Sequence, residues 1–165
     1  MTLLTPDDFL SSVTVINPAD LLTQGIRVVL IDIDNTLVPR DTQVLPNEVK
    51  AWVESLKECG LRICLLSNNW HDSVLAYAVE LDVPIVHKST KPFPFGYKHA
   101  LKKVAHVKGE KVVMVGDQIF TDVLGARILG LNAILVAPQA TKDLWYTLLL
   151  RRLERLIRGN VKPRE

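Results

Sequence analysis

The chain has 165 residues, a formal charge of +2 and 48% apolar side chains, with a mean hydropathy of +0.17. That length suits one domain, 1–165, with a full core, and the chain contains no repeat, low-complexity tract or Gly/Ser linker. No apolar run approaches the ~18 residues a membrane span needs, and a start bearing Asp7 and Asp8 without a basic-then-apolar stretch predicts no signal peptide and a cytoplasmic protein.

The first apolar run, Val28-Val29-Leu30-Ile31, ends in Asp32-Ile33-Asp34-Asn35-Thr36-Leu37. Successive strand residues point to opposite faces, so Asp32 and Asp34 share a side and Ile31 and Ile33 take the other. Two carboxylates at a strand tip are costly unless paired or bound to a metal. Beside a divalent cation such a carboxylate can attack phosphorus. Taken alone, Asp34-Asn35-Thr36 could equally be a turn.

A short flap, Val38–Gln43, leads to a helical pattern over Asn47–Cys59. The run Leu61–Leu66 then ends in Ser67-Asn68-Asn69, before a helix predicted over His71–Leu81. A weaker run, Val83–Val86, ends in His87-Lys88-Ser89-Thr90-Lys91-Pro92, and Phe95–Ala105 reads as a helix. Val112–Val115 ends in Gly116-Asp117-Gln118, followed by a helix over Thr121–Leu129 that opens with Asp122. A last run, Ala133–Val136, ends in Ala137-Pro138. Cys59 and Cys64 read as reduced core residues.

Short apolar runs bounded by turn signals are what strands buried on both faces look like. Their alternation with helices predicts an α/β, Rossmann-like three-layer sandwich with five parallel strands and right-handed crossovers. Such a sheet puts all strand carboxyl ends on one edge, where ligands bind. The polar clusters after the first four strands therefore converge. Ser67 could singly be a helix cap, Lys91 a solvated loop lysine, Asp122 a helix-dipole partner and Gly116 a turn glycine. Four such accidents on one edge are much less expected than one site.

Asp32-x-Asp34-x-Thr36, Ser67 after a strand, Lys91-Pro92 and Gly116-Asp117-x-x-x-x-Asp122 resemble, in order, the four motifs of the haloacid dehalogenase (HAD) superfamily, over roughly residues 26–138. More narrowly, Asp-Asn-Thr-Leu-Val, Leu-Ser-Asn-Asn and Val-Gly-Asp-Gln-Ile-Phe-Thr-Asp resemble the small subfamily IIIA phosphatases, a branch that includes phosphatidylglycerophosphate phosphatases of phospholipid biosynthesis. The resemblance implies strand order five-four-one-two-three. It implies Asp32 as nucleophile forming an aspartyl-phosphate, and Asp34 as the acid and then the base. It further implies Mg²⁺ held by the Asp32 side chain, the Asp34 carbonyl and Asp117, and Lys91 neutralising the phosphate, with Asp122 supporting Lys91. Ser67, the amides near Asn68, and Thr36 would meet the phosphoryl group. An all-oxygen donor set suits Mg²⁺ in any case. The four histidines show no metal-ligand spacing, although His71 follows the Ser67 loop.

From Asp34 to Ser67 is 33 residues and from Ser67 to Lys91 is 24, each filled by a helix and a strand. Neither interval holds a cap domain. Such an open site suits a large substrate, and Arg40 on the flap and Lys88 are candidates for a second anionic group on it.

Residues 151–165 carry six basic and two acidic side chains, net +4, against 14 basic and 16 acidic in the other 150. Trp145, Leu148, Leu149, Leu153, Leu156 and Ile157 make one apolar stripe of a helix expected at about 142–158. That stripe can pack on the sheet, or lie on an anionic membrane surface. Nucleic acid is not an expected partner: the rest of the chain is acidic, and no Gly-Arg or aromatic-interleaved basic pattern accompanies the tail. The expectation is a Mg²⁺-dependent phosphomonoester hydrolase, with phosphatidylglycerophosphate favoured. A phosphatase for soluble phosphosugars, nucleotides or phosphoprotein, and a non-catalytic receiver-like or scaffold module, are the alternatives.

Overall fold

The computed structural model describes residues 3–140 and 163–165. The apolar runs form parallel strands: β2 (Ile26–Ile31), β3 (Arg62–Leu66), β4 (Ile85–Val86), β5 (Lys111–Gly116) and β6 (Asn132–Val136). β2 lies between β3 and β5, with Leu30 opposite Cys64 on one side and Met114 on the other. The five run β6-β5-β2-β3-β4, the expected order.

One strand was not expected. Asp8–Leu10 forms β1, parallel to β6 on its outer side, so the sheet has six strands rather than five. Three residues behind two aspartates give no apolar run to detect. Side chains hold the edge instead: Asp7 accepts from the Ala133 N–H at 2.8 Å and from Arg127 at 2.7 Å, and Arg164 pairs with Asp8. A short helix, α1 (Pro18–Thr23), capped by the Asn17 side chain, joins β1 to β2.

Alternation along β2 divides the core. Val29 and Ile31, with Ile33 beyond the strand, pack with Val49, Trp52, Val53 and Leu56 of α2 (Asn47–Glu58). Val28 and Leu30 face Tyr97 and Ala100 of α4 (Pro94–Lys103) and Ala126 of α5 (Leu124–Ile128). Trp52 buries its indole and still satisfies its N–H, which donates to the Ile16 carbonyl at 2.9 Å.

Two helices begin later than their patterns suggest. α3 covers Val74–Leu81, because Asn69 Oδ1 accepts the His71 N–H and holds 71–73 in a turn. The stretch expected as a helix from Thr121 is a π-helical turn, Ile119–Val123, followed by α5. Cys64 is fully buried in β3 as expected, whereas Cys59, at the C-terminal end of α2, is exposed and not a core residue. The helix expected at 142–158 lies outside the described residues. Among the described residues no helix is long and apolar enough to cross a membrane.

Candidate active site

The carboxyl ends of β2, β3, β4 and β5 bring the polar clusters together. Asp32, the first residue after β2, is buried, and its N–H donates to the Val115 carbonyl at 2.9 Å. Lys91 Nζ lies 2.5 Å from Asp32 Oδ1 and 2.7 Å from Asp122 Oδ1. Thr36 is fully buried and donates to Asp32 Oδ2 at 3.1 Å, so it orients that carboxylate rather than facing the opening. Both oxygens of Asp32 are thus aimed by the protein.

Burial alone would lower the Lys91 pKa, but contact with the Asp122 and Asp32 carboxylates reverses this and raises it above an ordinary lysine, so the ammonium stays charged. Burial pushes Asp122 up, to about 6, with Lys91 drawing it back and Asp32 adding to the rise. The lysine is charged in this cluster, held by carboxylate oxygens at 2.5 and 2.7 Å.

The π-helical turn has a local cause. The hydroxyl of Tyr97, a fully buried residue of α4, lies 3.0 Å from the Thr121 carbonyl and 3.1 Å from the Asp122 carbonyl. The chain widens by one residue: Gln118 O accepts from Asp122 N and Val123 N together. Asp122 then turns back so that its Oδ2 accepts the Gln118 N–H at 3.1 Å while Oδ1 meets Lys91. Gly116 makes room, since a Cβ there would sit 2.2 Å from Asp122 Oδ2.

Ser67 and Asn68 work from the end of β3. The Ser67 hydroxyl accepts the Asn69 N–H at 3.0 Å, leaving its own hydrogen to give to a ligand oxygen. The Asn68 side chain clamps the backbone of Lys91: it accepts Lys91 N–H at 2.7 Å and donates to the Lys91 carbonyl at 2.9 Å. The approach to Lys91 is strained, with Lys88 at φ 54° and Thr90 at φ 56°. A β-branched residue is costly in that left-handed region, and such strain gathers at functional sites.

Asp34 stands two residues beyond Asp32, half-buried, with Asn69 Nδ2 3.4 Å from its Oδ2. Burial first and the Asp32 charge second raise its pKa above the ordinary carboxylate range. It opens into a cavity of about 450 Å³ between the flap and the start of α3, lined also by Arg40, Asn69, His71, Ser73 and Tyr77. The Tyr77 hydroxyl donates to the Gln43 carbonyl at 2.8 Å and ties the flap to α3. Arg40 therefore reaches the cavity. Lys88 does not line it: its ammonium is 5.8 Å from the Trp70 ring centroid and 3.8 Å from Asp72.

Asp117 is buried at the end of β5. Asp32, Asp117 and Asp122 offer carboxylate oxygens within 4.8 Å of one another, a hard, all-oxygen set fit for a divalent cation. Asp122 already spends one oxygen on Lys91 and one on the Gln118 N–H. Sequence reasoning missed Tyr97, Asn69 and Tyr77. The doubled asparagine after a strand was a signal for Asn69; the two tyrosines carried none.

The carboxyl edge of a parallel α/β sheet thus holds a buried lysine between two aspartates. The HAD-hydrolase-like family model matches residues 89–148. The chain is 33% identical over 157 residues to the probable phosphatase YqeG of Bacillus subtilis, covering 95% of this chain and 91% of that one. Among solved structures, the cobalt-bound deoxy-D-mannose-octulosonate 8-phosphate phosphatase of Haemophilus influenzae is 13% identical, with a TM-score of 0.53 over 81% of this chain and 88% of that one. A protein of Streptomyces avermitilis assigned to the HAD family hydrolases is 20% identical, with a TM-score of 0.53 over 71% and 75% of the two chains. At those identities the solved structures speak for the fold alone. The chain belongs to the HAD-like hydrolase family, and it is a phosphatase.

Proposed function

We propose that the protein hydrolyses a phosphomonoester through an aspartyl-phosphate on Asp32, with Mg²⁺ as cofactor, and that its substrate is a lipid-borne phosphate such as phosphatidylglycerophosphate, met at the membrane surface. The observation that carries the chemistry is the pairing of a carboxylate aimed by Lys91 and Thr36 with a second carboxyl whose pKa is raised. Asp32 attacks phosphorus and the leaving alkoxide takes the Asp34 proton. Asp34, now ionised, takes a proton from the water that splits the acyl phosphate, and Asp32 is regenerated. Ser67 donates to a phosphoryl oxygen, and Lys91 balances charge that shifts during transfer. The Asp32 side chain, the Asp34 carbonyl and Asp117 would hold Mg²⁺, which would supply electrostatic stabilisation to the phosphoryl oxygens. Asp122 and Asn68 keep Lys91 in place.

The lipid reading rests on three supports. The motifs resemble subfamily IIIA. Among the described residues no cap covers the site, and the cavity beside Asp34 stands open with Arg40 in its wall, suited to a distal phosphodiester. The basic segment 151–165, outside the described residues for most of its length, suits peripheral contact with anionic membrane. The test is hydrolysis of phosphatidylglycerophosphate in vesicles beside a panel of phosphosugars, nucleotides and a phosphopeptide. Preference for the lipid is the expected result; a soluble phosphate turned over far better would replace it.

A further inference from the structure

The rim of the site carries large apolar side chains that the chemistry does not use. Trp70 is 69% exposed, Phe93 63% and Phe95 79%. A single exposed aromatic needs no explanation. Trp70 and Phe93 sit on the two loops that deliver Ser67 and Lys91, and Phe95 lies in the first turn of α4 just beyond. The loops are laced together: Ser89 N donates to Ser67 O at 3.0 Å and Lys88 N to Asn69 O at 3.3 Å, beside the Asn68–Lys91 clamp. Trp70 therefore follows one side of the clamp, and Phe93 and Phe95 follow the other, all on the carboxyl edge of the sheet.

Cations accompany the aromatics. The Lys88 ammonium lies over the Trp70 ring, although Asp72 at 3.8 Å takes part of its charge. Near the start of α4, the end next to Lys91, Phe95, Lys98 and His99 are exposed and spaced as neighbours on the helix surface. Protein interfaces are depleted in lysine at their cores. Aromatic rings flanked by lysines are instead the composition of surfaces that settle into the headgroup region of anionic membranes.

We propose that Trp70, Phe93 and Phe95, with Lys88 and Lys98, form a docking face that seats the carboxyl edge of the sheet on an anionic bilayer. This rests on the lipid-phosphate reading above and gives it a geometry. The site would open toward the surface that holds the substrate, and the bilayer would cover what a cap domain covers elsewhere.

The experiment is co-sedimentation of the full chain with phosphatidylcholine vesicles, with and without phosphatidylglycerol. The wild type should partition onto the anionic vesicles, less so as salt rises. Trp70→Ser with Phe95→Ser should partition about tenfold more weakly or worse, given the apolar area withdrawn. That variant should keep its melting temperature and its rate on p-nitrophenyl phosphate. Lys98→Glu, at an exposed helix position that tolerates change, should weaken the preference for anionic vesicles and serves if the first variant folds poorly. Equal partition of wild type and variants, or no partition of the wild type, overturns the proposal. So does a change of oligomeric state in the first variant, which would assign the face to a second copy of the chain. Lipid phosphatase activity in detergent micelles, where docking is not needed, separates the two readings: its absence there defeats the lipid substrate, whatever the vesicles show.

Discussion

Asn68 holds Lys91 by both backbone polar groups, accepting its N–H at 2.7 Å and donating to its carbonyl at 2.9 Å. The ends of β3 and β4 are thereby fastened just where the reactive lysine departs. Asn68→Ala removes both partners at once and should cost about 1–3 kcal/mol. Because the lysine is displaced rather than removed, kcat should fall more than KM rises. Thermal melts with steady-state kinetics on p-nitrophenyl phosphate measure both.

The same sensitivity is expected across the sheet edge. Gly116→Ala would drive a methyl to 2.2 Å from Asp122 Oδ2, and the neighbour is a buried carboxylate already committed to Lys91. We expect a loss of about 2 kcal/mol or more in stability and most of the activity. Tyr97→Phe, which removes only the hydroxyl against the Thr121 and Asp122 carbonyls, should cost about 1 kcal/mol while lowering kcat. Wild-type kcat in Tyr97→Phe would mean that the π-helical turn holds Asp122 without it.

How far the sequence went is visible at this edge. The parallel strands were legible because β2, β3, β5 and β6 are buried on both faces and read as apolar runs, whereas their order came from the family resemblance alone. β1 was not, being three residues long and fixed by Asp7 and Asp8. Asp32, Asp34, Ser67, Lys91, Asp117 and Asp122 were legible because polar residues at strand ends have few other reasons to be there. The role of Thr36 against Asp32, the clamp by Asn68 and the turn shaped by Tyr97 were not. The first depends on how the turn after β2 closes, and the other two are hydrogen bonds between segments whose spacing in sequence says nothing about their separation in space. Lys88, a candidate for a second anionic group, stands with its ammonium beside Trp70 and Asp72, contacts that its nearness to Lys91 in sequence does not reveal.

The raised pKa of Asp34 has a kinetic signature. For an alkyl phosphate the first step needs Asp34 protonated, so kcat/KM should fall as pH rises through that raised pKa. p-Nitrophenyl phosphate, whose leaving group needs no proton, should lack this alkaline limb. Parallel pH profiles check it; identical limbs for the two substrates would take the acid role away from Asp34.

The two cysteines should behave differently. Burial pushes the Cys64 thiol up to about 12, while Cys59 is exposed. A disulfide-exchange reagent should therefore modify one thiol in the native protein and both in denaturant. Rapid reaction of two native thiols would mean that β3 opens easily.

The nucleophile is tested most directly by trapping it. Asp34→Asn cannot supply the base for the second step, yet can still accept a phosphoryl group from p-nitrophenyl phosphate, whose leaving group needs no acid. Incubated with Mg²⁺ and that substrate, it should release about one equivalent of p-nitrophenolate in a burst and then stall. Intact-protein mass should gain one phosphoryl group, located on the peptide containing Asp32, and Asp32→Asn should gain none. A phosphoryl group on any other residue, or sustained hydrolysis by Asp32→Asn, would contradict the aspartyl-phosphate route.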